Sequence, residues 1–182
     1  LAGQMKKLRS HGITSDAREM INRPTNEIWN YQQLELGFNY RMTDIQAALG
    51  ISQLENLDEW VARRNLIALH YEELLSDLPL HLPWQHPDSY SAYHLYPILL
   101  NRSATKVTQR QLYEALLDKD IRVNLHYIPI YLQPYYIRMG FQSGYCPNAE
   151  TYFKSVISIP MYTTLTKEQI EYVASCLREV LM

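Results

Sequence analysis

The sequence predicts an α+β fold in which helices cover one face of a small sheet. Two amphipathic helical patterns come first, from Thr43 to Leu57 and from Asp58 toward Pro79. After them, short stretches rich in branched and aromatic residues alternate with helical patterns, in the order β-α-β and then β-α. At 182 residues and 47% hydrophobic, the chain can bury one substantial core. We therefore expect one compact body with an appendage.

The first 36 residues predict that the chain is part of a longer protein. The opening stretch LAGQMKKLRSHG has no initiator Met, and Leu1, Met5 and Leu8 lie at helical spacing before a stop signal at Gly12. This pattern indicates a chain cut in, or just before, a helix that packs on other structure. Residues 13–36 are polar and irregular, which predicts a functional loop or a disordered segment.

Two helices are expected next. Thr43 is a candidate N-cap for the first helix, and Asp58 is a candidate N-cap for the second. The second should end before Pro79, because the residue before a proline avoids helical geometry. The first apolar stripe consists of Ile45, Ala48, Leu49, Leu54 and Leu57, and the second of Trp60, Val61, Leu66, Ile67, Leu69, Leu74 and Leu75.

Three later stretches predict strands. YHLYPILL at 93–100 is the first, and Pro97 predicts that it is an edge strand or contains a bulge. IRVNLHY at 121–127 and ISIP at 157–160 are the second and third.

Capping boxes predict the helices between and after these strands. Thr108 with Gln111 opens one helix, and Thr166 with Gln169 opens a terminal one. Residues 128–146 contain two prolines and predict a loop with a short helical piece, and residues 149–156 predict one brief helix.

Composition excludes several classes of function. The net charge is -2 with no run of Lys or Arg, which disfavours nucleic acid and anionic membranes as partners. No window approaches the roughly 20 apolar residues that span a bilayer, and no signal-peptide layout is present. Cys146 and Cys176 are too few for a disulfide framework, so we expect a cytoplasmic protein. The histidines lack zinc-site spacing, and no P-loop or dinucleotide fingerprint occurs, so no metal site is predicted.

Candidate functional residues lie near the end of the second predicted strand. His126 beside Tyr127, with Asn124 two residues earlier, places polar groups where folds of this class often bind ligands. The competing interpretation is that His126 is a hydrogen-bonded structural residue. Tyrosine is abundant, with fifteen residues against three phenylalanines. The cluster of Tyr127, Tyr131, Tyr135 and Tyr136 should partly face a cleft or another chain, because every buried hydroxyl needs a partner.

Several phrases in fixed order resemble the C-terminal half of the DegT/DnrJ/StrS sugar aminotransferases. They are LRSHG, GFNYRMTDIQAALGISQLENLDEWVARR, YHLYPILL, HYIPIYLQPYY and SIPMYTTLTKEQIEYV, and they cover nearly the whole chain. YHLYPIL and VNLHYIPIY are most similar to members of pseudaminic acid biosynthesis, which aminate a UDP-linked 4-keto-6-deoxy sugar. The resemblance implies the C-terminal portion of a fold-type-I enzyme dependent on pyridoxal 5'-phosphate (PLP). Residues 1–57 would be the end of the large PLP domain and an interdomain or dimer-interface segment, and residues 58–182 the small C-terminal domain.

The resemblance also implies roles for individual residues. Asn39 of the F-N-Y-R motif would reach across a homodimer interface to the cofactor phosphate or the substrate of the other subunit. Arg41 is either a further ligand contact or a salt-bridge partner that fixes the loop. Asn124, Leu125, His126 and Tyr127 would contact the nucleotide sugar, with Tyr131 as a further candidate.

The Schiff-base lysine of such enzymes would lie upstream of residue 1, so no catalytic residue is predicted in this chain. The six lysines present all fall in solvated contexts in the sequence, and the isolated chain should be inactive. The whole protein would transfer an amino group, from L-glutamate, to the 4-keto carbon of the sugar. Two alternatives remain open: a non-catalytic dimerisation or sugar-binding module, and a PLP-dependent sugar dehydratase of the same family. The residue at the upstream lysine position would separate these three possibilities.

Overall fold

The computed structural model describes residues 1–22 and 31–182. The chain divides into two compact units, Leu1–Glu55 and Asn56–Met182, and each is described by itself. The boundary predicted from sequence, after residue 57, lies two residues further along the chain. The assignment of the first segment to a large cofactor domain stays a prediction. Within the described residues, no helix is both long enough and apolar enough to cross a membrane.

Among its described residues, the first unit contains two helices and a two-stranded sheet. Helix α1 spans Ala2–Arg9, as predicted, and the left-handed backbone of Gly12, with φ of 71°, follows it. Strand β1 (Ile13–Thr14) pairs antiparallel with strand β2 (Gln32–Gln33). The prediction of an irregular or disordered segment over 13–36 is therefore wrong for these two strands. Residues 23–30 of that segment lie outside the described residues.

Helix α2 spans Asp44–Leu54 and begins with the predicted cap. The Thr43 hydroxyl accepts a hydrogen bond from the Gln46 backbone N–H, and the Gln46 side chain accepts one from the Thr43 N–H, which completes a capping box. None of the eleven helix residues, all of them described, is buried. The apolar stripe of α2 therefore has no core to pack against within the described chain.

The second unit opens with helix α3, Leu57–Leu75. Its N-cap is Asn56, so the prediction that Asp58 is the N-cap is wrong. Asp58 lies in the first turn instead, where a carboxylate faces the positive end of the helix dipole. The helix ends before Pro79 as predicted. Of the predicted stripe, Ile67 and Leu75 are buried, whereas Leu66 and Leu69 are exposed.

The sheet of this unit has three antiparallel strands in the order β3-β4-β5. Strand β3 is Leu80–His81, β4 is Tyr96–Leu100 and β5 is Val156–Ile159. The predictions for 93–100 and 157–160 are confirmed with small shifts of their ends. The prediction of a strand over 121–127 is wrong, because that stretch makes only an isolated bridge, between Asn124 and Ser158.

Pro97 lies in the central strand, so the prediction of an edge strand is wrong. Pro97 is paired with Ser158 of β5. Leu100, three residues later in β4, donates its N–H to the carbonyl of Ser155, the residue just before β5. Backbone donors alternate in direction along an antiparallel strand, so the Pro97 nitrogen faces away from β5. On that side, the registered partners in β3 reach only Leu99 and Leu100. The missing N–H of Pro97 therefore removes no hydrogen bond from the sheet.

Helices α4 (Gln109–Asp118) and α7 (Lys167–Leu181) begin with the two capping boxes predicted from sequence. Between them lie a 3-10 turn at Ile130–Leu132 and the short helices α5 (Pro134–Ile137) and α6 (Pro147–Phe153), which confirms a loop with a short helical piece and one brief helix. Helix α7 packs on both α3 and α4. The largest fully buried side chains are Tyr71, Tyr96, Ile67, Leu75, Ile98, Leu112, Leu116, Ile157, Leu165, Leu177 and Val156.

The cap of α7 gives a testable stability effect. Thr166→Ala removes the hydroxyl that accepts a hydrogen bond from the Gln169 N–H at 3.3 Å. We expect the free energy of unfolding to fall by about 1 kcal/mol, as is usual when a threonine cap becomes alanine. Urea denaturation of the chain measures it. The exposed neighbour Thr164 caps no helix, so Thr164→Ala should stay within about 0.5 kcal/mol of the parent chain. Equal losses in both variants would contradict a specific capping role.

Candidate functional site

The motif F-N-Y-R lies on a loop that the end of α1 holds by backbone hydrogen bonds. We call residues Phe38–Arg41 the FNYR loop. The Phe38 N–H donates to the Leu8 carbonyl at 2.7 Å, and the Tyr40 N–H donates to the Arg9 carbonyl at 2.9 Å. In return, the His11 N–H donates to the Phe38 carbonyl at 2.9 Å. These bonds fix the backbone of the loop without using any of its side chains.

Two glycines allow this close approach. A Cβ atom at Gly37 would overlap the backbone of His11 and Gly12, and one at Gly12 would overlap the backbone of Glu35. Backbone atoms cannot yield as a flexible side chain can. Gly12 also needs its positive φ. Gly12 and Gly37 therefore set the position of the FNYR loop against α1.

The Asn39 side chain is exposed and makes no hydrogen bond to any described residue. The rings of Phe38 and Tyr40 stack on each other, with centroids 4.9 Å apart. Because side chains alternate along extended backbone, Asn39 points to the opposite side from this ring pair. Arg41 is also exposed, and no carboxylate in the described part of the chain forms an ion pair with it. The two polar side chains of the loop are thus available to bind a ligand or another chain.

The second predicted segment is anchored to strand β5 by one residue, Ser158. Its backbone N–H donates to the Asn124 carbonyl at 2.8 Å, and its carbonyl accepts from the Asn124 N–H at 3.2 Å. The Ser158 hydroxyl, in a residue only 6% exposed, lies 2.8 Å from Nδ1 of His126. This hydrogen bond fixes the imidazole and leaves Nε2 as the ring nitrogen that can meet a ligand. Ser158 was not identified from the sequence, because only the fold brings it beside His126.

The neighbours of His126 differ in what they can contact. The Tyr127 ring is exposed and packs edge-to-face on the His126 ring, with centroids 4.6 Å apart. The peptide bond between these two residues is cis. The Leu125 side chain packs against the core, so any ligand contact of Leu125 has to use its backbone. The Leu125 N–H is already taken by the Asn124 side-chain oxygen at 2.8 Å.

Tyr131, the further candidate, lies in a buried hydrogen-bond network with Glu150. The Tyr131 hydroxyl donates to Glu150 Oε1 at 2.8 Å and accepts from the Cys146 N–H at 3.2 Å. The Ser143 hydroxyl donates to Glu150 Oε2 at 2.9 Å, and the Gly144 N–H donates to Oε1 at 2.6 Å. The Tyr131 hydroxyl is therefore committed within the chain, and its role as a substrate contact stays a prediction.

The same donors lower the pKa of the Glu150 carboxyl, and the Gly144 N–H is the largest cause. Because the folded pKa lies below the ordinary value of 4.5, the unfolded chain takes up this proton first as the pH falls. The stabilisation is complete above about pH 4.5 and is lost below it, as the pH falls through the folded value. We expect the free energy of unfolding of the parent chain to fall more steeply between pH 5 and pH 3 than that of Glu150→Gln. Parallel curves would contradict an ionised Glu150 in the folded chain.

Helix α3 contributes a second feature that the sequence did not reveal. Nη1 of Arg64 donates to the carbonyls of Tyr93, His94 and Met161, at 3.0, 3.3 and 3.2 Å. The guanidinium thereby ties the chain entering β4 to the chain leaving β5. Backbone carbonyls occur at every residue, so an arginine that binds them has no characteristic partner in the sequence. The stretch VARRN therefore did not predict this role for Arg64.

The comparisons with known proteins decide the family. The sequence profile of the DegT/DnrJ/EryC1/StrS aminotransferase family matches residues 1–178. The chain belongs to this family. It is 32% identical, over its full length, to the UDP-4-amino-4,6-dideoxy-N-acetyl-beta-L-altrosamine transaminase of Campylobacter jejuni, and it covers 45% of that protein. The family resemblance inferred from the sequence is thus confirmed.

Solved structures of the family agree with the fold. Helicobacter pylori PseC, an aminotransferase involved in the biosynthesis of pseudoaminic acid, is 28% identical with a TM-score of 0.78, over 97% of this chain and 45% of that one. DesV of S. venezuelae, solved in complex with a ketimine intermediate, is 28% identical with a TM-score of 0.77, over 98% of this chain and 43% of that one. These matches confirm the prediction that the chain has the fold of the C-terminal portion of such an aminotransferase. The chain spans about half the length of the curated relatives that it matches.

Three of the six lysines form ion pairs with glutamates. Lys7, Lys119 and Lys167 form ion pairs with Glu19, Glu179 and Glu171, at 3.2, 2.9 and 3.7 Å. No group of three or more potential metal ligands occurs among the described residues.

Proposed function

We propose that the protein containing this chain is a PLP-dependent aminotransferase that delivers an amino group to the 4-keto carbon of a UDP-linked 6-deoxy sugar. The observation that carries the proposal is the family match over residues 1–178, which includes both the FNYR loop and residues 124–127. The similarity to a UDP-sugar transaminase supports the substrate class.

Among the described residues, Asn39 suits the phosphate group of the cofactor. Asn39 is exposed, has an unused amide and lies on a loop held by its backbone, so it can donate hydrogen bonds to a phosphate without bringing a second charge. PLP, when bound, supplies the electron sink and the carrier for the amino group. We assign the covalent attachment to a lysine outside this chain, as the family resemblance implies.

The remaining residues have binding and orienting roles in this proposal. Asn39 serves the active site of the other subunit in a homodimer, and Arg41 is a second candidate contact there. His126 presents Nε2 to the nucleotide sugar because Ser158 holds Nδ1. Asn124 and Tyr127 flank it, with the Tyr127 ring supplying an apolar face. The chain shapes the substrate pocket and does not form covalent bonds itself.

Transfer of labelled nitrogen tests the proposal. The full-length protein is incubated with PLP, nitrogen-labelled L-glutamate and a UDP-linked 4-keto-6-deoxy sugar, and the sugar product is analysed by mass spectrometry. We expect labelled nitrogen in the sugar and one equivalent of 2-oxoglutarate. A sugar that loses a hydroxyl without gaining nitrogen would indicate the dehydratase. Binding of the sugar without any turnover would indicate the non-catalytic module.

Asn39→Ala tests the cofactor contact. We expect the variant to hold PLP less tightly by roughly 1 to 2 kcal/mol, the usual loss for a hydrogen bond to a charged partner. The readout is the dissociation constant of PLP from the full-length protein, obtained by equilibrium dialysis. Gln53→Ala, on the exposed surface of α2, is the control and should leave the constant unchanged. An unchanged constant in Asn39→Ala would remove this residue from the site.

A further inference from the structure

Residues Tyr131–Cys146 form an aromatic lobe directly after the predicted substrate segment. Five rings make a continuous series of contacts through it, each edge-to-face with the next. The centroid distances are 5.6 Å for Tyr131–Tyr145, 5.1 Å for Tyr145–Phe141, 6.2 Å for Phe141–Tyr136 and 5.2 Å for Tyr136–Tyr135. Such contacts hold the rings in fixed relative orientations.

Glu150 closes the aromatic lobe from outside. Its carboxylate, in a residue only 8% exposed, accepts hydrogen bonds from Tyr131 at the start of the lobe and from Ser143 and Gly144 near its end. The Cys146 N–H adds a bond to the Tyr131 hydroxyl. Both ends of the lobe are thereby tied to one buried anion, which orders a segment that has little regular secondary structure.

The outer surface of the lobe combines exposed rings with an unpaired cation. Tyr135 and Tyr145 are 61% and 65% exposed. The Arg138 guanidinium lies 5.9 Å from the centroid of the Tyr135 ring, and no carboxylate in the described part of the chain forms an ion pair with it. A depression of about 450 Å³ is lined by residues 139–145. Flat apolar faces next to a guanidinium are the chemistry that recognises a base linked to phosphate.

We propose that the aromatic lobe is the nucleotide subsite of this chain, and that Glu150 is its positioning residue. The base of the substrate stacks on Tyr135 or Tyr145, and Arg138 pairs with an oxygen of the diphosphate. This inference rests on the proposed function, because it assumes a nucleotide-linked sugar as substrate. It adds a place for the base to the contacts already proposed for Asn124, His126 and Tyr127.

Calorimetric titration of UDP and of inorganic pyrophosphate into the full-length protein separates the two contacts. Tyr135→Ala or Tyr145→Ala should weaken UDP binding about tenfold, within the range for loss of one base-aromatic stack, and leave pyrophosphate binding unchanged. Arg138→Gln should weaken both ligands. The controls are Tyr172→Ala and Arg110→Gln, which change an exposed tyrosine on α7 and an exposed arginine on α4. They should change neither ligand.

Glu150→Gln tests the positioning role. It should weaken UDP binding severalfold at a temperature well below the unfolding transition, where a merely structural residue would leave affinity unchanged. Ser143→Ala removes one of the same hydrogen bonds and provides the test if Glu150→Gln does not fold. Suppose that both tyrosine variants bind UDP as tightly as the parent and that the protein still transfers nitrogen to a UDP-sugar. This result would overturn the assignment of the aromatic lobe as nucleotide subsite and leave the proposed function intact. A parent protein that binds neither UDP nor a UDP-sugar would overturn the proposed function as well.

Discussion

Leu177→Ala is expected to lower the free energy of unfolding of the chain by about 2 to 5 kcal/mol. The Leu177 side chain is fully buried on α7, in the core that this helix shares with α3, α4 and the sheet. Truncation removes apolar contacts and leaves a cavity that the surrounding side chains fill only in part. The measurement is chemical denaturation followed by circular dichroism.

Leu117→Ala is the matched control for this prediction. Leu117 has the same side chain, but it lies on α4 and is 51% exposed. Its truncation should cost well under half of the loss at Leu177. Equal losses would mean that α7 does not pack as the structure shows.

His126→Ala is expected to raise KM for the nucleotide sugar by roughly tenfold or more, as for a lost hydrogen bond to a charged ligand. KM for the amino donor should change much less, because His126 meets only the sugar nucleotide in our proposal. Steady-state kinetics of the full-length protein, with each substrate varied in turn, gives both constants.

Ser158→Ala refines this prediction. It removes the hydroxyl beside Nδ1 but keeps the imidazole, so it should raise the same KM by a smaller factor. His86→Ala, at an exposed position in the loop after β3, should have no effect on either constant. Equal changes in KM for both substrates in His126→Ala would instead support the alternative that His126 is a structural residue.

Local signals in the sequence located most helices correctly. The capping boxes predicted at Thr108 and Thr166 form, and the predicted N-cap Thr43 forms a third box with Gln46. A capping box involves residues three positions apart, so its formation depends little on the rest of the fold. The N-cap of α3 was predicted wrongly although the sequence held a signal for it: Asn56 is followed by Glu59 at the spacing typical of a helix start, whereas Asp58 is followed by Val61.

Pairing between distant segments was predicted poorly. The stretch 121–127 has the residue types of a strand. It nevertheless pairs with β5 at one position only, the bridge between Asn124 and Ser158. Strand β3 is just Leu80–His81, too short to produce a pattern. Pro97 could be placed in the central strand only because β3 stops before reaching it. Each outcome depends on where a remote neighbour ends, which a single sequence does not encode locally.

The candidate site shows the same division. The FNYR loop and residues 124–127 were proposed as site residues from the sequence, whereas the residues that hold them in place were not identified. These supporting residues are far in sequence from the residues they contact. The separation is 32 positions for Ser158 and His126, 19 for Glu150 and Tyr131, and 97 for Arg64 and Met161. The requirement that a buried tyrosine hydroxyl find a partner was the one signal that pointed toward Glu150, since it applied to Tyr131.

Native mass spectrometry of the full-length protein, incubated with PLP and then freed of unbound cofactor, tests the central claim most directly. If this chain supplies Asn39 to the active site of a second subunit, the protein should appear as a homodimer that carries one PLP per subunit. A monomer that retains no PLP would contradict the assignment of Asn39, the dimer and the proposed chemistry together.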